Sequence, residues 1–274
     1  MRSNALRSPN PPAAPSRVGD LLREWRAARR MSQLDLALEA NVSSRHLSWV
    51  ETGKSQPGRE LVEQLADALE MPLRERNSLL VAAGYAPKYR ETALADPEMA
   101  LLRKAVEFII RQQEPFPAFV IDRHWDVLMV NPAMQRVFGA LKPGGPTHGN
   151  ILRQVFDPAD MRPLLANWEE VAGDLIRHLH HEAAAAPSDM RARALLAEVL
   201  SYPDVPQDWR RRELGATPLP VITTVFRKDD LELRFFSTLT TFGTARDVTV
   251  EGLRIECMFP ADEATEAFCR SLAG

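Results

Sequence analysis

Apolar residues recur at helical spacing from residue 18 to residue 83, in short runs separated by polar and turn residues. Leu21, Leu22 and Trp25 form the first run, which ends near Arg30. Leu34, Leu36, Ala37 and Ala40 follow Ser32, and Leu47 and Val50 follow Ser43. Leu61, Leu65 and Leu69 come after the Pro57–Gly58 turn, and Leu73, Leu79, Leu80 and Ala83 close the set before Gly84. The spacing predicts five short helices, a small all-α domain over residues 17–84. Residues 85–97, with prolines at 87 and 97, read as a linker.

Beyond the linker the period changes. Residues 99–113 keep helical spacing, with Leu101, Leu102, Ala105, Val106 and Ile109. Ala118–Ile121 and Trp125–Met129 then alternate around Asp122–Arg123–His124, which predicts a β-hairpin. Asn131–Pro132 starts a helix, with proline in its first turn. Helices are predicted at 151–156, 160–183 and 189–201, followed by a stretch interrupted by Pro203, Pro206, Gly215, Pro218 and Pro220. Val221–Arg227, Leu231–Thr240 and Val248–Phe259 read as three strands, and 261–273 as a last helix capped by Asp262. Residues 98–274 are therefore predicted to form an α+β domain with an antiparallel sheet.

Composition narrows the class. Of the 274 residues 45% are hydrophobic and 26% charged, which excludes wholesale disorder. Residues 1–16 are the exception: four prolines and few large apolar groups predict a disordered tail. Two cysteines, Cys257 and Cys269, exclude a disulfide scaffold and fit a reducing cytoplasm. No apolar run is long enough for a membrane span, and the N-terminus has no secretory h-region. The net charge of -3 divides unevenly: residues 1–90 carry 14 Lys/Arg against 10 Asp/Glu, the remainder 20 against 27. A basic front points any nucleic-acid contact there.

Residues 32–57, SQLDLALEANVSSRHLSWVETGKSQP, are the most informative stretch. Ser32 is placed to cap the second helix, leaving Gln33 on its first turn, where free N–H groups suit a phosphate. Ala37 is small where two helices cross, and Asn41 suits the left-handed residue that ends the helix. Ser43 caps the third helix, Leu47 and Val50 face the core, and Gly53 ends it. Ser44, Arg45, Ser48 and Trp49 then look outward. Two helices joined by a turn of about four residues, the second with a polar outer face, describe a helix-turn-helix.

Through Gln33, Ala37, Val42, Ser43, Leu47, Ser48, Glu51, Gly53, Lys54 and Pro57, this part resembles the phage-repressor-like Xre/Cro family. The resemblance implies that the third helix reads the major groove of a double-stranded DNA operator. It implies phosphate contacts from Gln33 and Ser48, base-edge positions at Ser44, Arg45 and Trp49, with Ser43 at the helix start, and a buried structural Glu51. A few base-facing residues on one half-site cannot reach the roughly 4–10 kcal/mol of usual specificity, so a homodimer on two half-sites is expected.

The strings YRET (89–92), DRHWDVLMVN (122–131), NWEEVA (167–172), FSTLTTFGTARDVTVEGLRIE (236–256) and FPADEAT (259–265) resemble the MmyB-like regulators. That resemblance implies a PAS-like ligand-binding domain and a small apolar, fatty-acid-like ligand. Trp125 and Phe138 are candidate walls, and Arg162, Asn167 and Trp168, about one turn apart on the predicted central helix, are candidate polar anchors. Each also serves as a core residue, a structural hydrogen bond or a solvated face. The alternative is a constitutive regulator whose C-terminal domain only dimerises or binds a protein partner.

Other signals are weaker. His178 and His181 have metal-ligand spacing on a helix, with His180, Asp174 and Glu182 near, but read as a solvated face, so no metal is expected. Cys257 reads as a buried small hydrophobe, and Arg210–Arg212 as the solvated end of a loop. There is no phosphate loop, GxGxxG or GxSxG, and no nucleophile–base set, so an enzyme is not expected. No cofactor is expected, the fatty-acid-like ligand apart.

Overall fold

Local chemistry sets the first unit. Ser32 accepts a hydrogen bond from Asp35 N–H at 3.1 Å, and Asp35 returns one to Ser32 N–H at 2.7 Å, a capping box that starts α2 (Gln33–Glu39) after α1 (Arg17–Ala28). Asn41 takes φ of 51°, and Val42 N–H reaches back to Ala37 carbonyl at 2.8 Å, so α2 ends where the sequence places its stop. Ser43 caps α3 (Ser44–Glu51) through His46 N–H, and Gly53, at φ of 72°, turns the chain out of it. α4 (Arg59–Ala68) and α5 (Leu73–Ala82) complete the five helices. Leu22, Trp25, Leu36, Leu47, Leu65 and Leu79 fill their core. Helix α1 crosses the end of α3 closely: a Cβ on Gly19 would stand 2.3 Å from Glu51 carbonyl oxygen, so only glycine fits without moving the helix.

The computed structural model describes residues 17–210 and 221–273. The tail expected over 1–16 lies outside them, as do Arg211, Arg212, Gly215, Pro218 and Pro220. The described chain divides into two units. One runs up to Lys88 and includes Ala186–Ser188; the other is Tyr89–Ala185 with Asp189 onward. Residues 85–97 are shared between them. Tyr85 hydroxyl donates to Pro57 carbonyl in the first unit, while Thr92 bonds the Asp247 carboxylate in the second.

The second unit is an antiparallel sheet clad on both faces. After α6 (Ala100–Gln112) come β1 (Ala118–Ile121), β2 (Val127–Val130), α7 (Pro132–Leu141), α8 (Ile151–Phe156), α9 (Trp168–Ala185) and α10 (Met190–Val199). β3 (Thr223–Lys228), β4 (Leu231–Thr241), α11 (Val248–Gly252), β5 (Arg254–Pro260) and α12 (Glu263–Ser271) follow. The strand order is β2-β1-β5-β4-β3, so the hairpin and the later strands form one five-stranded sheet. Alternation sends Val120 and Ile255 to one face, against Val106 and Ile110 of α6. Phe119, Phe226, Leu233 and Phe235 face the other side, in a core with Phe138, Phe156 and Ile176. Asn131 ties the layers: its side chain caps α7, accepts from Ala118 N–H and donates to Ile110 and Phe116 carbonyls.

Three expectations are corrected. The helix over 160–183 begins only at Trp168: Pro163 allows a single 3-10 turn, and Ala166 N–H then joins Val225 carbonyl at 2.8 Å. The strand over 248–259 is divided, because Asp247 caps Thr249 N–H and starts α11 before β5. Trp125 is not in the second strand; it sits at φ of 68° in the turn before it.

Candidate nucleic-acid interface and ligand cavity

The outer face of α3 begins just past its cap. Ser44 and Arg45 are exposed, Ser48 is half-buried, and Trp49 is 40% exposed. The Arg45 guanidinium lies 4.7 Å from the centre of the Trp49 ring, a cation–π pair one helical turn long. The indole thus engages the guanidinium on the outer face of α3. Ser43 is spent on its cap to His46.

Gln33 is differently employed. Its amide donates to Glu51 carboxylate at 3.0 Å, so the side chain reaches a phosphate only by releasing that partner. Glu51 is 2% exposed, and Arg26 grips its two oxygens at 3.0 and 3.2 Å. Arg23 adds a bond to Glu51 carbonyl, and Arg26 one to Met31 carbonyl. One buried carboxylate therefore fixes α1, the start of α2 and the end of α3 against one another. Arg26 was missed in the sequence because its partner lies 25 positions away.

In the second unit a cavity of about 490 Å3 lies between the sheet and the helices α7, α8 and α9. Its size is that of ordinary small-molecule sites. Phe119, Trp125, Met134, Phe138, Ile151 and Met258 supply much of the apolar wall. Trp125 is 8% exposed, with its indole N–H anchored to Glu182 at 2.9 Å. Phe138 meets Phe226 edge to face, their ring centres 5.2 Å apart.

The three polar anchors expected from the sequence do not line this cavity. Arg162 lies on the Trp168 ring, 3.8 Å from its centre, and donates to Phe156 and Pro203 carbonyls. Asn167 clamps β3, donating to Thr223 carbonyl and accepting from Val225 N–H. Trp168 donates to Val155 carbonyl and packs on Phe156 and Trp209. Each is committed to holding the wall in place, because the predicted helix that would have aligned them does not exist before Trp168.

The polar groups that do line the cavity are Gln154, Asp174, His178, Thr224, Ser237 and Glu256. Glu256 sits on the central strand β5, with Phe119 of β1 and Leu239 of β4 opposite it. Burial pushes its carboxyl above the ordinary glutamate range, and a bond with the Ser237 side chain opposes that shift. The signal was present in IECMF: strand alternation puts Glu256 on the same face as Met258, a charge where apolar residues belong.

Other chemistry is sparse. Among the described residues, no group of three or more His, Cys, Asp and Glu could hold a metal ion. His180 bonds Trp209 carbonyl, and His178 pairs with Asp174 at 3.3 Å. Cys257 and Cys269 are buried and free, and burial raises the Cys269 thiol to about 11. No helix among the described residues is long and apolar enough to cross a membrane.

Comparisons with known proteins agree with this division. A model described as an MmyB-like transcription regulator ligand binding domain matches residues 102–272, and a helix-turn-helix domain model matches 17–79. No curated protein matches the chain. Among solved structures, an RNA-binding light-oxygen-voltage receptor is similar at 14% identity and a TM-score of 0.28. That match covers 95% of this chain and 62% of the other, so the chain spans less than two thirds of the receptor's length. A likeness this loose carries no argument.

Proposed function

The chain belongs to the MmyB-like transcription regulators, and on that premise we propose that it works as a homodimer on a double-stranded operator and is tuned by a small amphiphile. It is a DNA-binding regulator with a ligand-sensing domain. The homodimer, the operator contacts, the cytoplasmic setting and the absence of catalysis are our reading. The observation that carries the sensor half is the 490 Å3 cavity with its mainly apolar wall. These walls suit the chain of a fatty-acid-like ligand. A ligand shifts the DNA-bound population only by binding the two states unequally.

The DNA half rests on α3. Arg45, held on Trp49, presents a planar fork suited to a guanine edge. Arg45→Ala is expected to relax preference at one base pair of each half-site by about 1–3 kcal/mol while leaving the others unchanged. Binding measured across single-base operator variants checks this; an equal loss on every variant would remove Arg45 from base reading. In the same assay, wild-type affinity is expected to fall linearly on a log–log plot between 50 and 200 mM salt, as counterions leave the phosphates. A flat response would count against the DNA reading itself. Native mass spectrometry of the full-length protein tests the sensor half, with a retained stoichiometric small molecule as the expected result. A clean apo mass, together with operator binding indifferent to added amphiphiles, would favour a constitutive regulator.

A further inference from the structure

We propose that the ligand site is two chambers deep, and that the tail of a long-chain amphiphile runs from the 490 Å3 cavity, past Met134 and Phe138, into a second apolar chamber beside it. The inference rests on the ligand-sensing reading and adds a chain-length class to it. The second chamber, about 580 Å3, lies between β2, α7 and the loop over 142–149. Val127 and Val130 of β2, Met134 and Phe138 of α7, and Pro146 of the loop supply its apolar wall. Met134, Phe138 and Gln154 border both chambers, so these three form the partition between them.

The partition has one movable member. Phe138 is braced edge to face on Phe226. The Gln154 amide donates to His148 carbonyl at 2.7 Å and is held to the loop. Met134 carries an unbranched, adaptable side chain, the kind that moves aside for an apolar guest. The far wall is fixed as well. Asp160 accepts from the N–H groups of Thr147 and His148, each at 3.0 Å, and from the Lys142 ammonium at 2.5 Å. The second chamber is thus a built part of the fold. The hydroxyls of Thr224 and Ser237 line the first cavity and not the second. A polar head therefore stays in the first, and the tail takes the second.

Gly139 of α7 borders the second chamber, and a Cβ there would have 4 Å of clear space beyond its own helix backbone. A larger side chain at this position occupies the room the tail would use. Apolar burial makes the depth measurable, because each methylene moved out of water onto such walls strengthens binding roughly fourfold. One chamber stops rewarding longer chains once it is full. Two chambers in series keep rewarding them.

The test is calorimetric titration of the full-length protein, stripped of bound lipid, with octanoate, decanoate, dodecanoate and tetradecanoate. Wild-type affinity is expected to climb roughly fourfold per methylene through tetradecanoate, with one acid per chain. Gly139→Leu is expected to bind tetradecanoate about tenfold or more weakly than wild type does. It is expected to bind octanoate equally well, which also shows that the variant is folded. Gly139→Ala alters the same helix but fills little of the chamber, and is expected to follow wild type. A wild-type plateau beyond octanoate, two acids per chain, or a Gly139→Leu variant that changes both acids alike would each overturn the second chamber as the tail site, leaving the sensor reading intact. If no acid binds, the sensor reading falls as well.

Discussion

Glu51→Ala is expected to cost the helical unit about 3–5 kcal/mol, more than any single change on the outer face of α3. The carboxylate is 2% exposed and is the shared partner of Arg26 and Gln33. Removing it strands a largely buried guanidinium, whose side chain is 20% exposed. The same group aligns α2 with α3, so operator affinity is expected to fall together with stability. Glu51→Gln keeps the shape and an acceptor, and is expected to cost less. Urea unfolding followed by hydrogen exchange over α1–α3 measures both. A loss below about 1 kcal/mol for the alanine variant would show that the pair behaves like a surface bridge.

The second large effect belongs to the sheet-bearing unit and appears in acid. Asp189 accepts from the N–H groups of Arg191 and Ala192 at the start of α10, meets Arg123 at 2.5 Å and bonds His124 at 3.1 Å. Burial alone would raise its carboxyl. The bonds from His124 and Ala192 and the charges of Arg123 and His124 outweigh burial and hold it well below the ordinary aspartate range. Because the folded value lies below the unfolded one, the stabilisation is complete at neutral pH. It begins to drain as pH falls through about 4, the unfolded aspartate value, and is gone only below the folded one. Asp160 shifts the same way: burial raises its carboxyl, but Lys142 and the N–H groups of Thr147 and His148 prevail. Asp189→Asn is expected to cost about 3–5 kcal/mol at pH 7 and to flatten the loss of stability below about pH 4. Stability of the variant and wild type measured from pH 7 down to 3 checks both; parallel curves would sink the assignment.

What the sequence made legible was mostly local. Ser32, Asn41, Ser43 and Gly53 each act on groups within a few positions, and each does what its residue type and spacing predict. Asn131 was legible as a helix start, but not as the four-bonded tie between layers, because three of those bonds go to distant backbone. Trp125 and Phe138 were legible only as large apolar residues, which a core needs as much as a cavity wall. The polar anchors were not. Arg162, Asn167 and Trp168 were aligned by assuming a continuous helix, and one proline with one backbone bond to β3 breaks that alignment. Glu256 lay in plain view as a charge on an apolar strand face, but its meaning depends on a cavity assembled from residues more than a hundred positions apart. Val248–Val250 misled by composition: three β-branched residues suggest a strand, and a single capping aspartate suffices to start a helix there.

The place of β5 between β1 and β4 also sets an order of events during synthesis. The five helices of the first unit lie close together along the chain and can settle soon after they are made. The sheet has no such freedom. Its first two strands appear early, yet the register that joins Ile121 to Arg254 waits for nearly the whole chain. Until then β1 offers a bare edge to any passing strand, a hazard that chaperones exist to cover. A ribosome that stalls before β5 therefore releases a chain with its five N-terminal helices and a sheet that lacks its middle.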